Sequence, residues 1–298
     1  MEHIVNIDTI TMLHNLLGYD KPVHHLITLI DFDNIQYPSK YRNRQMIIGF
    51  YTISLKKNCD CRVKYGRKYY DFSEGSMMFT APGQVTTVEN ESNNTRGWML
   101  CFHPDLIRKS QLSSKIKEHT FFSYDSSEAL HLSEEEEEII NNIVKTIEKE
   151  FDQNSDMYSE QLIVSNLEVL LNYARRFYGR QFITRASVNK DVVSRFETLL
   201  TDYFESKSLM DNGLPTVKYL AQEMGYSTNY LSDLLKKETG KNTQEHIHFH
   251  LIEKAKSLLL GTQEPVAQIA YMLGYEYPGH FSKFFKKKIG VSPSEYRK

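Results

Sequence analysis

One pattern is written twice within residues 214–298, and it constrains this chain more than anything else in it. The first copy runs V217-KYLAQEMGY-STNYLSDLLKKETG and ends at Gly240; the second runs V266-AQIAYMLGY-EYPGHFSKFFKKKIG and ends at Gly290. Val217, Ala221, Gly225 and Tyr226 align with Val266, Ala270, Gly274 and Tyr275. One extra residue later, Ser232, Lys236, Lys237 and Gly240 align with Ser282, Lys286, Lys287 and Gly290. A period of about 50 residues present only twice is a duplicated motif, because a solenoid needs more repeats to bury its core.

Each copy has the periodicity of two helices and a turn. Val217, Leu220, Ala221 and Met224 recur at the spacing that shares one helix face. Gly225 stops that helix, and Ser227 has the chemistry of an N-cap for the next, whose Leu231, Leu234 and Leu235 point inward. The second copy repeats this with Val266, Ile269, Ala270 and Leu273, then Gly274, then Phe281, Phe284 and Phe285. Two helices around a short Gly-containing turn can lay the second helix in a DNA major groove. A single such hairpin is equally a way of packing helices; two aligned copies favour the DNA-binding arrangement.

The strings A-x-x-M-G-Y-S-x-x-Y-L-S-x-L-L-K-K-E-T-G and I-A-x-x-L-G-Y…F-S-K-F-F-K-K-x-x-G resemble the DNA-binding domain of the AraC/XylS family of bacterial transcription regulators. So does the closing G290-V-S-P-S-E-Y-R297. The resemblance implies a cytoplasmic, sequence-specific regulator without catalytic activity. Its implied partners are double-stranded DNA through the major groove, RNA polymerase, a small-molecule effector of unknown identity and a second copy of the chain.

Length allows two domains, each with a core of its own. The expected fold class is α+β: a cupin-like sensor or dimerisation domain over 1–180, a polar linker over 181–190, and an all-α domain over 191–298 with two helix-turn-helix motifs joined by a long helix. Net charge is −2, so DNA affinity has to come from a local face. Positive residues outnumber negative ones from Lys254 to Lys298, which supplies such a face. The N-terminus has no signal-peptide pattern and no apolar run is long enough to span a bilayer, so no membrane association is expected.

Residues 26–103 carry short apolar or alternating runs: Leu26–Ile30, Met46–Leu55, Cys61–Tyr65, Tyr69–Phe72, Gly75–Thr80 and Trp98–His103. Breakers such as Pro38, Gly66 and Pro82-Gly83 separate them, which predicts a β-sandwich or small barrel. The segment F72-S-E-G-S-M-M-F-T-A-P-G83 resembles a cupin hairpin entering a Pro-Gly turn. Tyr51, Tyr65, Tyr69, Tyr70, Phe79 and Trp98 either line a ligand pocket or fill the core.

The rival reading is an enzyme with a DNA-binding appendage, as a metal-dependent cupin or a DNA-repair alkyl transferase. A metal cupin needs a closely spaced H-x-H and a following Glu, yet His103 is the only histidine between residues 26 and 103. Of the three cysteines, Cys59 and Cys61 have no second Cys or His pair at zinc spacing, so no metal or other cofactor is expected and the thiols should stay reduced.

Two helices should follow. One starts at Ser133 with Glu134–Glu138 at its positive dipole end, the acidic run lying on a solvated face. The other covers about Ser159 to Tyr178. Their apolar stripes either pack within the chain or pair with a second subunit. Val192 to Phe204 reads as a helix packing on the first motif, and Thr243 to Leu260 as the long helix between motifs. That helix spans about 27 Å, against about 34 Å between successive major grooves on one face of DNA. His246 and His250 share a face on it, and with no third ligand visible they read as ordinary, partly exposed histidines.

Base contacts are expected from outward residues early in each second helix: Thr228, Asn229, Ser232 and Asp233 in the first copy, with Ser227 at its start. The resemblance places base-reading side chains at the positions of Asn229, Ser232 and Asp233. Asp233 departs from the basic residue usual there; it either accepts from a cytosine or weakens this half. In the second copy the candidates are Tyr277, Pro278, Gly279, His280 and Lys283, of which His280 and Lys283 are the expected readers. Lys236, Lys237, Lys241, Lys286, Lys287 and Lys288 would supply phosphate attraction, which sets register without reading sequence, and would also favour the helix C-termini they sit on.

Overall fold

The computed structural model describes residues 4–34, 45–57, 63–65, 68–70, 75–87, 96–152, 156, 158–184, 186–206 and 208–298. The chain divides into two compact units, Met1–Ile183 and Thr184–Lys298, each with its own core.

The first unit is the β-rich one. Strands β1 (Val5–Ile7), β3 (Gln45–Ile48) and β8 (Val85–Thr87) form one sheet, with β1 parallel to β3. Strands β2 (Ile27–Asp31), β4 (Tyr51–Lys57), β7 (Ser76–Thr80), β9 (Arg96–Phe102) and β10 (Leu130–His131) form an antiparallel sheet in the order β10-β7-β4-β9-β2. A separate ribbon pairs β5 (Val63–Tyr65) with β6 (Lys68–Tyr70). Helix α1 (Ile10–Leu17) buries Ile10, Leu13 and Leu17 with Ile7, Ile30, Met46, Phe50 and Cys101, so residues from both larger sheets share one core.

Two expectations for the strands are corrected. The run Met46–Leu55 is two strands in different sheets, broken at Gly49 and Phe50. Gly49 lies so near Asp8 that a Cβ there would sit 3.1 Å from its Cα, while its N–H donates to the Ile7 carbonyl at 2.9 Å. The expected hairpin over 72–83 fails for the same topological reason. Its strand β7 pairs with β4 and β10, and the Pro82–Gly83 turn delivers β8 to the other sheet. Residues 72–74, Cys59 and Cys61 lie outside the described residues.

After β9 come two single-turn helices, α2 (Pro104–Ile107) and α3 (Leu112–Lys115), then α4 (Glu134–Asp152) and α5 (Ser159–Thr184). Ser133 caps α4 as expected: its Oγ accepts from the Glu136 N–H, and Glu136 accepts from the Ser133 N–H. The acidic run, however, is not uniformly solvated. Glu137 pairs with Lys57 and accepts from Asn141, whose Oδ1 receives the Trp98 indole N–H at 2.8 Å. Glu136 receives Arg180 Nε at 3.0 Å, and Arg180 Nη2 also donates to the His131 carbonyl at 2.6 Å.

The second unit is helical: α6 (Ala186–Glu205), α7 (Ser208–Asn212), α8 (Val217–Met224), α9 (Thr228–Thr239), α10 (Thr243–Gly261), α11 (Val266–Met272), α12 (Pro278–Ile289) and α13 (Pro293–Arg297). The segment expected as the linker, 181–190, is built of helix: 181–184 complete α5 and 186–190 open α6, and the two compact units divide within it. Its polarity has another origin. Gln181 is buried and satisfies the backbone beside β10, accepting from the His131 N–H at 2.8 Å and donating to the Ala129 carbonyl at 3.2 Å. Asn189, also buried, donates to Glu238 Oε1 of α9 at 2.9 Å.

Candidate nucleic-acid interface

The two copies fold with the same backbone device at the turn. In the first, the Tyr226 N–H reaches the Ala221 carbonyl at 2.9 Å and the Gly225 N–H reaches Gln222 at 3.0 Å. In the second, Tyr275 reaches Ala270 at 3.0 Å and Gly274 reaches Tyr271 at 2.9 Å. This paired closure satisfies carbonyls that a helix end would otherwise leave open. Behind it, α8 and α9 bury Leu220, Ala221 and Met224 with Tyr230, Leu231, Leu234 and Leu235; α11 and α12 bury Ile269, Ala270 and Leu273 with Phe281 and Phe285. Each of the leucine, isoleucine and phenylalanine side chains among them contributes roughly 1.5–3 kcal/mol when fully removed from water. Phe284, expected inward, is only half-buried and lies 4.9 Å from the His248 ring.

The starts of the two second helices differ. Ser227 Oγ accepts from the Tyr230 N–H, capping α9, whereas α12 begins with Pro278 after Tyr277 and has no side-chain cap. The extra residue in the second turn separates Gly274 from the helix start by one more position than in the first copy. Tyr277 and His280 are exposed neighbours, with ring centroids 5.5 Å apart.

The expected readers are distributed as follows. Thr228, His280 and Lys283 are exposed, and Asn229 and Asp233 are half-exposed. Ser232 is half-buried, and its hydroxyl lies 2.9 Å from that of Thr243, a fully buried residue at the start of α10. Ser232 is thus occupied in tying α9 to α10. Lys236, Lys237, Lys286, Lys287 and Lys288 are exposed in the last turns of α9 and α12, at the negative ends of the helix dipoles. Lys241 is exposed with its Nζ 4.1 Å from the centre of the Phe249 ring.

Helix α10 connects the motifs. Asn242 caps it, exchanging hydrogen bonds with Glu245, and at its far end the Leu259 carbonyl receives Arg297 Nε of α13 at 3.1 Å. The two histidines on its face are not ordinary surface residues. His246 is only 6% exposed, which corrects the expectation of partial exposure. Its Nδ1 lies 2.8 Å from Glu197 Oε1 of α6, and His250 Nε2 lies 2.9 Å from Glu197 Oε2. His246 Nε2 also lies 2.8 Å from the Thr239 hydroxyl, at the end of α9. Burial holds the His246 imidazole below its usual range against the opposing pull of Glu197. Sequence reasoning missed Glu197, whose only signal was a carboxylate on a helix expected to pack nearby.

Among the described residues, no group of three His, Cys, Asp or Glu side chains is placed to hold a metal ion. In the first unit, Phe79 packs on Phe121, Phe122 and Tyr178, and Tyr51 stacks on Phe102. Phe79, Phe102, Phe121, Phe122 and Tyr178 are buried, while Tyr51 is half-buried; the side chains of Tyr65, Tyr69 and Tyr70 lie outside the described residues. Among the described residues, no helix is long and apolar enough to cross a membrane.

Comparison with known proteins bears on both units. A helix-turn-helix domain model matches residues 220–298, and an AraC-like ligand binding domain model matches residues 37–153. The arabinose operon regulatory protein of Salmonella typhimurium is 29% identical over 286 residues, covering 95% of each chain. YijO of Escherichia coli, an uncharacterized HTH-type transcriptional regulator, is 26% identical over 78% of each chain. YobQ of Bacillus subtilis is 34% identical over 82 residues, 28% of this chain and 34% of that one. With a sensor-type domain and a duplicated helix-turn-helix domain in this order, the chain belongs to the AraC/XylS family of transcription regulators.

Proposed function

We propose that the protein is a sequence-specific regulator that places α9 and α12 in adjacent major grooves of one duplex. The observation that carries this is the repeated construction. Two helices of equal length stand behind identical turn closures, with exposed polar residues early and two or three exposed lysines late. Early residues on such helices read base edges, and late lysines attract phosphates. With Ser232 held by Thr243, reading in the first motif falls to Thr228, Asn229 and Asp233; in the second it falls to Tyr277, His280 and Lys283.

The first unit would then be the sensor, biasing the DNA-competent state by binding its effector differently in the two states. It is also the expected dimer contact. Leu162 and Val169, two turns apart on one face of α5, are 45% and 43% exposed, and linked copies would raise affinity for paired sites. RNA polymerase is the expected downstream partner. No catalytic role is assigned.

Selection of bound duplexes from a randomised pool tests the reading directly. One preferred sequence with two protected segments about a helical turn apart is expected. On that duplex, Asn229→Ala and His280→Ala should relax base preference. Lys287→Ala should weaken binding alike on all sequences and flatten its salt dependence. Equal losses for all three variants on every sequence would mean the readers are misassigned.

A further inference from the structure

The two turn glycines, Gly225 and Gly274, occupy equivalent places in the repeat and share a left-handed backbone, with φ of 75° and 79°. Their surroundings are not equivalent. Nothing lies within 4 Å of where a Cβ on Gly225 would stand, so that glycine serves its own turn and nothing else. A Cβ on Gly274 would sit 2.6 Å from the Leu209 carbonyl oxygen and 2.8 Å from the Gly213 Cα. Gly213 is itself left-handed, at φ 74°. Two glycines thus meet backbone to backbone: the approach itself leaves no room for a Cβ on Gly274, whereas a Cβ on Gly213 would come only within 3.4 Å of the Gly274 carbonyl, and Gly213 needs glycine for its left-handed φ.

The contact joins elements far apart in sequence. Leu209 and Gly213 belong to α7 and the segment leading into the first motif; Gly274 is the turn of the second. Leu209 is buried, and the Gly213 carbonyl receives the Tyr203 hydroxyl of α6 at 2.9 Å. The chain of contact therefore runs from α6 through Gly213 to the turn that aims α12. Helix α10 already holds the second motif through Phe284, 4.9 Å from the His248 ring, and through Arg297, which donates to the Leu259 carbonyl. Those attachments all lie along the rod, and the Gly213–Gly274 contact adds one away from it.

We infer that the Gly213–Gly274 contact, braced by Tyr203, is a positioning clamp that fixes the second motif against the first. It thereby sets the separation of half-sites that the protein accepts on DNA. The DNA part of this rests on the function proposed above; the clamp itself does not. Gly213, Gly274 and Tyr203 are positioning residues, none of which is offered as touching DNA.

The test uses the full-length chain with Cys59 and Cys61 replaced by serine; Cys101 is wholly buried and would stay unlabelled. Spin labels on cysteines at the exposed positions Gln222 of α8 and Gln268 of α11 report the distance between motifs without DNA. The parent should give one narrow distance distribution. Gly274→Ala should shift or broaden it, and Gly225→Ala should leave it unchanged. Tyr203→Phe, which introduces no backbone strain, should also broaden it, and it carries the test if Gly274→Ala does not fold. Equal distributions for the parent, Gly274→Ala and Tyr203→Phe overturn the clamp.

The second arm uses the duplex selected by the parent chain and the same duplex with one base pair inserted between its protected segments. The parent should discriminate against the insertion, and Tyr203→Phe and Gly274→Ala should lose most of that discrimination. Altered distances with discrimination intact overturn the role in half-site spacing. Should selection yield no preferred duplex, the proposed base reading fails while the distance measurement still decides the clamp.

Discussion

Glu197 and His246 meet at 2.8 Å between α6 and α10, and the other oxygen of the same carboxylate takes His250 at 2.9 Å. One side chain thus anchors the first two turns of the helix joining the motifs, and through His246 it reaches Thr239 at the end of α9. A neutral His246 donates from Nδ1 to Glu197 and accepts the Thr239 hydroxyl. When protonated it donates from both nitrogens, and Thr239 can turn its hydroxyl to the Leu235 carbonyl, 2.8 Å away.

A pH dependence follows. Burial lowers the folded-state pKa of His246 below the free value of about 6.5, so the unfolded chain takes up this proton first. The stability tied to the neutral ring is fully present above that value and is lost as pH falls through the lowered folded pKa. The thermal midpoint by circular dichroism should fall between pH 7 and pH 5, and His246→Gln should make the slope shallower. His248, lowered by burial and by Lys288, keeps the slope from vanishing. An unchanged slope in His246→Gln would refute this assignment.

Glu197→Ala leaves the buried Nδ1–H of His246 without its acceptor. An unmet buried donor costs roughly 1–3 kcal/mol, so chemical denaturation of the helical unit should move by about that much at neutral pH. A loss well below 1 kcal/mol would show that water replaces the carboxylate.

The capping difference between the second helices is measurable. Ser227→Ala removes the acceptor for the Tyr230 N–H and should cost about 1 kcal/mol. Tyr277→Ala, at a position with no side-chain cap, should cost nothing through capping. Equal losses would mean that packing rather than capping governs both sites.

Phe285 is fully buried between the rings of Phe281 and Tyr296, at 5.7 Å and 5.4 Å. Phe285→Ala should destabilise the helical unit by about 3–5 kcal/mol. Trp98 is the sole tryptophan and belongs to the first unit, so its fluorescence should hold nearly constant through this loss while the circular dichroism transition moves.

Trp98 fluorescence should instead follow Arg180. Arg180→Ala deprives Glu136 and the His131 carbonyl of a shared donor, at a cost of roughly 1–3 kcal/mol. Arg180→Lys should recover little, because an ammonium cannot reproduce the forked geometry. Full recovery with lysine would reduce the contact to simple charge attraction.

Much of the second unit was legible because its signals are local. Apolar spacing, the glycines at 225, 240, 274 and 290, and Ser227 each act within one or two turns of chain, and the helices form where those signals fall. The strands of the first unit were legible as runs but not as sheets. Whether Met46–Leu55 is one strand or two depends on partners distant in sequence, and alternation of side chains is blind to them.

The segment 181–190 shows the same limit from the other side. Its polar residues suggested exposure, yet Gln181 and Asn189 are buried beside the groups they satisfy. The sequence by itself determined where the motif helices α8, α9, α11 and α12 fall and stop and which copy each belongs to, since these are contests between neighbouring backbone groups. Only the tertiary structure decided that Glu197 would serve two histidines, that Ser232 would turn to Thr243, and that Gly213 would meet Gly274. Such contacts form only after separate elements pack, so no local pattern in the chain encodes them.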